Sequence, residues 1–181
     1  MQIRARQAAH RAAVQAFLAQ RHHARVARLG ELVDPLDHPA LIAEAEDGRL
    51  LGVLTYIMER DQCEILTLHV AEQWRGVGTA LLDMVERLAT RHGRRRLWLI
   101  TTNDNVDALR FYQRRGFHLA ALHAGAVDDA RARLKPEIPT IGDHGIPLHD
   151  EVELQRHLGD QLQVAGSQRH DLLGADWAPR P

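Results

Sequence analysis

Along the first stretch of the chain, apolar positions recur at helical spacing. In residues 7–20 (QAAHRAAVQAFLAQ), Ala9, Ala13, Phe17 and Leu18 share one stripe, and the alanine content favours a helix. Prolines and aspartates across residues 33–39 break that pattern into a loop. Two apolar runs follow, residues 40–46 and 49–58, separated by Asp47-Gly48. Such a dipeptide between such runs predicts a hairpin with a tight primed turn. A third run, residues 63–70, completes an antiparallel meander.

The period then changes. After Gly76 and Gly78 the segment TALLDMVERLATRHG places Leu81, Leu82, Val85, Leu88 and Ala89 at helical spacing. Gly93 stands where a C-cap glycine belongs, behind basic residues that suit the negative end of the helix dipole. Residues 97–101 read as a buried strand, 105–115 as a helix closed by Gly116, and 117–122 as a strand. Residues 124–150 are rich in Gly, Pro and Asp, with only 126–134 helical in pattern. Alternation of Val152, Leu154 and Leu158 predicts a last strand over 151–158. The result is an α/β chain with one mixed central β-sheet flanked by helices, a single domain over 1–158 and a loosely ordered polar tail over 159–181.

Charge and cysteine content narrow the chemistry. The 181 residues carry a formal net charge of −1, and Lys135 is the only lysine among 23 basic residues. That balance argues against a nucleic-acid partner bound through overall basicity. Cys63 is the only cysteine, so neither an intrachain disulfide nor a cysteine-based zinc site is possible, and core packing is its expected role. His144, His149 and His157 have no metal-ligand spacing and read as solvated, so no metal is expected. No apolar run is long enough to span a bilayer, and no secretory stretch opens the chain, so a cytoplasmic location without membrane attachment is expected. Residues 1–30, with six arginines and no acid, read as a helix similar to a mitochondrial transit peptide. They contain no serine, however, and run straight into the first apolar pattern of the fold.

The most informative segment is VAEQWRGVGTALL, where a strand, a short glycine loop and a helix follow one another directly. Glycines let backbone amides converge on one point, and a helix start adds a positive dipole end, so the junction suits a pyrophosphate. The Walker lysine and the third glycine of the dinucleotide fingerprint are both absent. Gln73-x-x-Gly76-x-Gly78 instead resembles the Q/R-x-x-G-x-G/A signature of the GNAT superfamily of N-acetyltransferases. Downstream, Asn105-x-x-Ala108-x-x-Phe111-Tyr112-x-x-x-Gly116-Phe117 is similar to that superfamily's second motif. The segment LKPEIPTIGDHGIP followed by DEVEL resembles a subset of its uncharacterised members.

The resemblance implies a GNAT-like acyl-CoA N-acyltransferase fold with acetyl-CoA as cosubstrate. It sets Leu68, His69 and Val70 beside the pantetheine arm, between two strands that part. It gives the pyrophosphate to the backbone of Arg75, Gly76, Val77, Gly78 and Thr79, after Gln73, with the Arg75 side chain as an extra partner. Asn105 caps its helix and, by resemblance, also bonds the pantetheine. Tyr112 matches the tyrosine that protonates the departing thiolate. Glu64 resembles the general base of related histone acetyltransferases, with a solvated charge at a strand start as the other reading. His69 is a rival base, placed by strict alternation on the opposite face from Glu64 unless a bulge intervenes. Arg94, Arg95 and Arg96 form either a solvated turn or a partner for the 3′-phosphate of CoA. Trp74 either shields the cofactor or packs on the helix.

The same resemblance implies a small-molecule or peptide amine as acceptor, met by residues 20–40 and 124–150. Many relatives pair into homodimers. Two other functions stay open at this point: a non-catalytic acyl-CoA-binding or regulatory module of the same fold, and a pure interaction domain.

Overall fold

The computed structural model describes residues 1–20 and 25–159; the expected polar tail falls outside the described residues from 160 on. Seven strands form one mixed sheet in the order β1-β4-β5-β6-β7-β9-β8. They are β1 (Gln2–Ala5), β4 (Ala40–Glu44), β5 (Leu50–Met58), β6 (Gln62–Val70), β7 (Arg96–Thr102), β8 (His118–His123) and β9 (Glu151–His157). A separate hairpin joins β2 (Val26–Arg28) to β3 (Glu31–Val33). The α-helices are α1 (Arg11–Ala19), α2 (Val77–Arg91), α3 (Val106–Gln113) and α4 (Ala126–Arg133).

The expected meander forms: β4, β5 and β6 pair antiparallel in sequence order. Its first turn differs from the primed pair suggested by Asp47-Gly48. The amide of Gly48 bonds the carbonyl of Ala45, and Gly48 alone takes a positive φ, +83°, so the glycine closes the turn from its fourth position. Helix α2 ends as read: Arg94 N reaches back to Ala89 O, and Gly93 sits at φ +72°. The last strand enters between β7 and β8, bonding both. Strand β8 is therefore an outer strand, with Leu119 and Leu122 exposed.

The amino-terminal reading needs correction. Residues 2–5 are an edge strand against β4, residues 8–10 are a 3-10 turn, and only 11–19 are α-helix. Within α1 the buried residues are Val14, Phe17 and Leu18, whereas Ala9 and Ala13 are exposed. Among the described residues the arginine-rich run is thus strand, 3-10 turn and helix, not one helix.

Two apolar clusters lie on the two faces of the sheet. One joins Leu54, Tyr56, Cys63, Ile65, Leu97 and Leu99 to α2 through Leu81, Leu82 and Val85. The other joins Ala40, Ile42 and Val53 to α1. Helix α2 lies close to the sheet because Gly52 on β5 lacks a side chain; a Cβ there would stand 2.8 Å from Val77 Cγ1 and 2.9 Å from Leu81 Cδ1. Cys63 belongs to the first cluster, as expected, and burial pushes its thiol up to about 12, leaving no thiolate at neutral pH.

Candidate active site

Strands β6 and β7 run parallel and pair over four positions, from Gln62 opposite Arg96 to Ile65 opposite Leu99. Beyond that point they part. Strand β6 goes on to Val70 bonded to β5, and β7 to Thr102 bonded to β9. The gap is framed by Leu68, His69 and Val70 on one side and by residues 100–102 on the other. These β6 residues are half-buried, in contrast to the buried run before them.

At the end of β6 the chain passes through the glycine loop into α2. Gly76 takes φ +77°, and its carbonyl accepts the first bond of the helix, from Ala80 N at 3.0 Å. The amides of Val77, Gly78 and Thr79 therefore have no acceptor within the helix. No side chain caps this end, and no acid stands in the first turn. Three donors and the positive dipole end thus converge at the mouth of the gap, which fits a pyrophosphate. A Cβ on Gly78 would stand 3.5 Å from the Phe111 ring, so α3 closes one side of the loop. Gln73 and Arg75 are exposed here, and Arg75 Nε lies 3.3 Å from Glu72 Oε2. Trp74 is 73% exposed at φ +65°, with the Arg110 guanidinium 5.0 Å from its ring centre.

The motif residues on α3 take up both structural roles. Asn105 Oδ1 accepts from Ala108 N at 3.0 Å, as a helix cap. Tyr112 is 6% exposed and meets Phe111 and Phe117 edge-on, at 5.0 and 5.3 Å between ring centres. Burial pushes its phenol well above the ordinary tyrosine range, so it keeps its proton at neutral pH. The hydroxyl of Thr79 accepts from Arg115.

Glu64 and His69 share a face, contrary to strict alternation. The register steps from Thr55 opposite Thr67 to Tyr56 opposite Ile65, leaving Leu66 as a bulge. Glu64 then faces Ile57 and His69 faces Val53, four positions apart on β5, or about 13 Å along the strand. Both point away from α2. Arg94, Arg95 and Arg96 do not reach the loop. Arg96 pairs at the start of β6, roughly 26 Å from its end, and bonds Gln62, Gln155 and Glu153. This excludes the 3′-phosphate role weighed for these arginines.

Sequence reasoning missed the hairpin over this face. Arg28 Nε lies 2.7 Å from Glu64 Oε1, and Nη2 donates to Oε2 at 2.9 Å. Leu29 N donates to Glu151 Oε2 at 2.8 Å. Glu64 and Glu151 are 3% and 2% exposed. Burial pushes both carboxyls up, and Arg28 pulls Glu64 back down. The only signal was Gly30 between two short apolar pairs, hidden among arginines and alanines.

Segment 124–150 is also better ordered than its composition suggested. Asn103 Oδ1 accepts from His149 N and Asp150 N, and Asn103 Nδ2 donates to Pro147 O. Asp104 Oδ2 accepts from Asp143 N at 2.8 Å. The segment is thereby fixed to the loop between β7 and α3. Among the described residues no group of three His, Cys, Asp or Glu side chains could hold a metal ion, and no helix is long and apolar enough to cross a membrane.

The model of the acetyltransferase (GNAT) family matches residues 6–117. The uncharacterised protein YdhI of Bacillus subtilis (strain 168) is 45% identical over 119 residues, which is 66% of this chain and 72% of YdhI. An acetyltransferase of Bacillus subtilis solved in complex with CoA is 29% identical, with a TM-score of 0.56 over 67% of this chain and 77% of its own. YncA of Salmonella typhimurium, solved with acetyl-CoA, shares the fold at 21% identity, with a TM-score of 0.62 over 97% of this chain and 98% of its own.

Proposed function

Because the chain belongs to the acetyltransferase (GNAT) family, we propose that it is an N-acetyltransferase, moving the acetyl group of acetyl-CoA to a primary amine by direct attack in a ternary complex. The observation that carries this reading is the gap between β6 and β7 ending at the uncapped start of α2, where Gln73-x-x-Gly76-x-Gly78 lies. The acceptor is a small-molecule or peptide amine.

Acetyl-CoA supplies a thioester, whose acyl carbon bonds the amine nitrogen as the carbon–sulfur bond breaks. Leu68, His69 and Val70 offer a strand edge to the amides of the pantetheine arm, and Asn105 stands across the gap as a further partner. The amides of Val77, Gly78 and Thr79 hold the pyrophosphate. Glu64 takes the proton from the attacking amine, directly or through a water, and His69 is the rival for that role. Tyr112 gives its proton to the sulfur, and its raised phenol suits a group that must stay protonated until then.

Tyr112→Phe keeps the packing against Phe111 and Phe117 while removing the acid. Calorimetry should show acetyl-CoA binding unchanged, and turnover should fall by roughly 10²–10⁴. Equal turnover would reject Tyr112 as the acid.

One observation favours a second reading, an acyl-CoA-binding module without transfer: Glu64 is already ion-paired and hydrogen-bonded to Arg28. That reading expects binding of acetyl-CoA but no CoA release with any amine, peptide amines included.

A further inference from the structure

We propose that Arg28, at the tip of the β2–β3 hairpin, is a positioning residue that fixes the Glu64 carboxylate for its work as general base; the inference rests on Glu64 being that base. The hairpin tip touches β6 where it is still paired with β7 and, beyond β7, the start of β9. Arg28 bonds Glu64 on β6, and the amide of the next residue, Leu29, bonds Glu151 on β9. Leu29 and Gly30 both lie at positive φ, +48° and +75°, so the tip is a tight turn that delivers neighbouring residues to opposite strands. The guanidinium donates one hydrogen bond, from Nη2 to Oε2, and sets Nε 2.7 Å from Oε1 as an ion pair, so it constrains the orientation of the carboxylate as well as its charge. Arg28 also donates to Glu31 Oε2 at 2.9 Å, which keeps the fork anchored to its own hairpin.

Among the described residues, the charged and titratable groups facing Glu64 are few. Arg28 comes from β2, Glu31 from β3, Glu59 from the turn between β5 and β6, and Cys63 is its neighbour on β6. Its register neighbour on β7 is Trp98, which does not titrate. Burial disfavours the carboxylate, Glu59 and Glu31 add to that, and Arg28 is the one group opposing them. As the base accepts a proton from the amine the carboxyl becomes neutral while Arg28 keeps its charge, so the pair weakens only when the proton has moved. Without Arg28, burial acts unopposed and the carboxyl titrates higher. The active, deprotonated form then appears only at higher pH.

The test is the pH profile of kcat/KM for the wild type, Arg28→Gln, Arg28→Met, Arg28→Lys and Glu64→Gln, with acetyl-CoA binding measured on each by calorimetry. Removing the charge should move the acid limb up by about 1–3 pH units, and Arg28→Lys should return it most of the way. Arg28→Met keeps the packing of the stem and serves if Arg28→Gln does not fold. Acetyl-CoA affinity should stay unchanged throughout, because Arg28 acts on Glu64, six residues or about 20 Å along β6 before Val70, where the glycine loop begins. A Glu64→Gln enzyme with undiminished turnover would overturn the base reading and this inference with it. An inactive Glu64→Gln alongside an unmoved acid limb in the folded Arg28 variants would overturn the inference alone.

Discussion

Gly76→Val should leave a folded protein that has lost most of its affinity for acetyl-CoA. Gly76 sits at φ +77°, a region costly for a β-branched residue, and a Cβ there would meet nothing within 4 Å. The penalty is therefore backbone strain of about 1–3 kcal/mol, which a domain of ordinary stability, about 5–15 kcal/mol, survives. Relief of the strain turns the loop and misaligns the amides of Val77, Gly78 and Thr79. Losing two hydrogen bonds to a charged phosphate costs about 3–6 kcal/mol, or on the order of 10²–10⁴ in affinity. Calorimetry with acetyl-CoA measures this directly, with circular dichroism as the check on folding. An unchanged Kd would show that the loop does not hold the pyrophosphate.

Gly52→Val should act through stability instead. The added side chain meets Val77 Cγ1 and Leu81 Cδ1 below 3 Å and the carbonyl of His69 at 3.2 Å, so α2 must move off the sheet. Replacing glycine in a strand gains about 0.5–1 kcal/mol from the unfolded chain. Overpacking costs about 1–3 kcal/mol, and two extra methyl groups push it to the upper end. The steric cost wins. Melting should drop by roughly 4–10 °C for a domain of this size, with Gly52→Ala falling between the variant and the wild type. Because α2 carries the amides proposed to hold the pyrophosphate, acetyl-CoA affinity should weaken in parallel. A melting temperature at or above that of the wild type would contradict the close approach of α2 to β5.

These two glycines differ in how visible they were in the sequence. Gly76 lies in a motif whose spacing announces a turn into a helix. Gly52 stands in an apolar run, and its importance comes from Val77 and Leu81, which reach it only through the fold. The same contrast runs through the whole chain. The meander, α2 with Gly93 and the last strand all follow from local periods and turn residues. Strand β1 does not, because as an edge strand with mostly exposed side chains it has only Ile3 and Ala5 as apolar residues and pairs through its backbone. The bulge at Leu66 sits where the polar positions change phase, from Gln62 and Glu64 to Thr67 and His69, so strict alternation puts the second pair on the wrong face.

The site divides in the same way. Its glycine loop, Asn105 and Tyr112 are contiguous motifs. The Arg28–Glu64 pair spans 36 residues and the Leu29–Glu151 bond 122, distances at which no periodicity operates. Among the arginines, Arg28 joins Arg75 as a named member of the candidate site. Arg28 is a half-buried partner of the candidate base, whereas Arg96 belongs to a polar array at the far end of the sheet.

Thermal unfolding with and without acetyl-CoA tests the central claim, that the gap and the uncapped start of α2 form an acyl-CoA site. Ligand at about 100 times its Kd stabilises the folded state by about 2.7 kcal/mol, a rise in melting temperature of roughly 5–10 °C for this domain. That rise, lost in Gly76→Val, is the expected result. No rise at millimolar acetyl-CoA would contradict the claim.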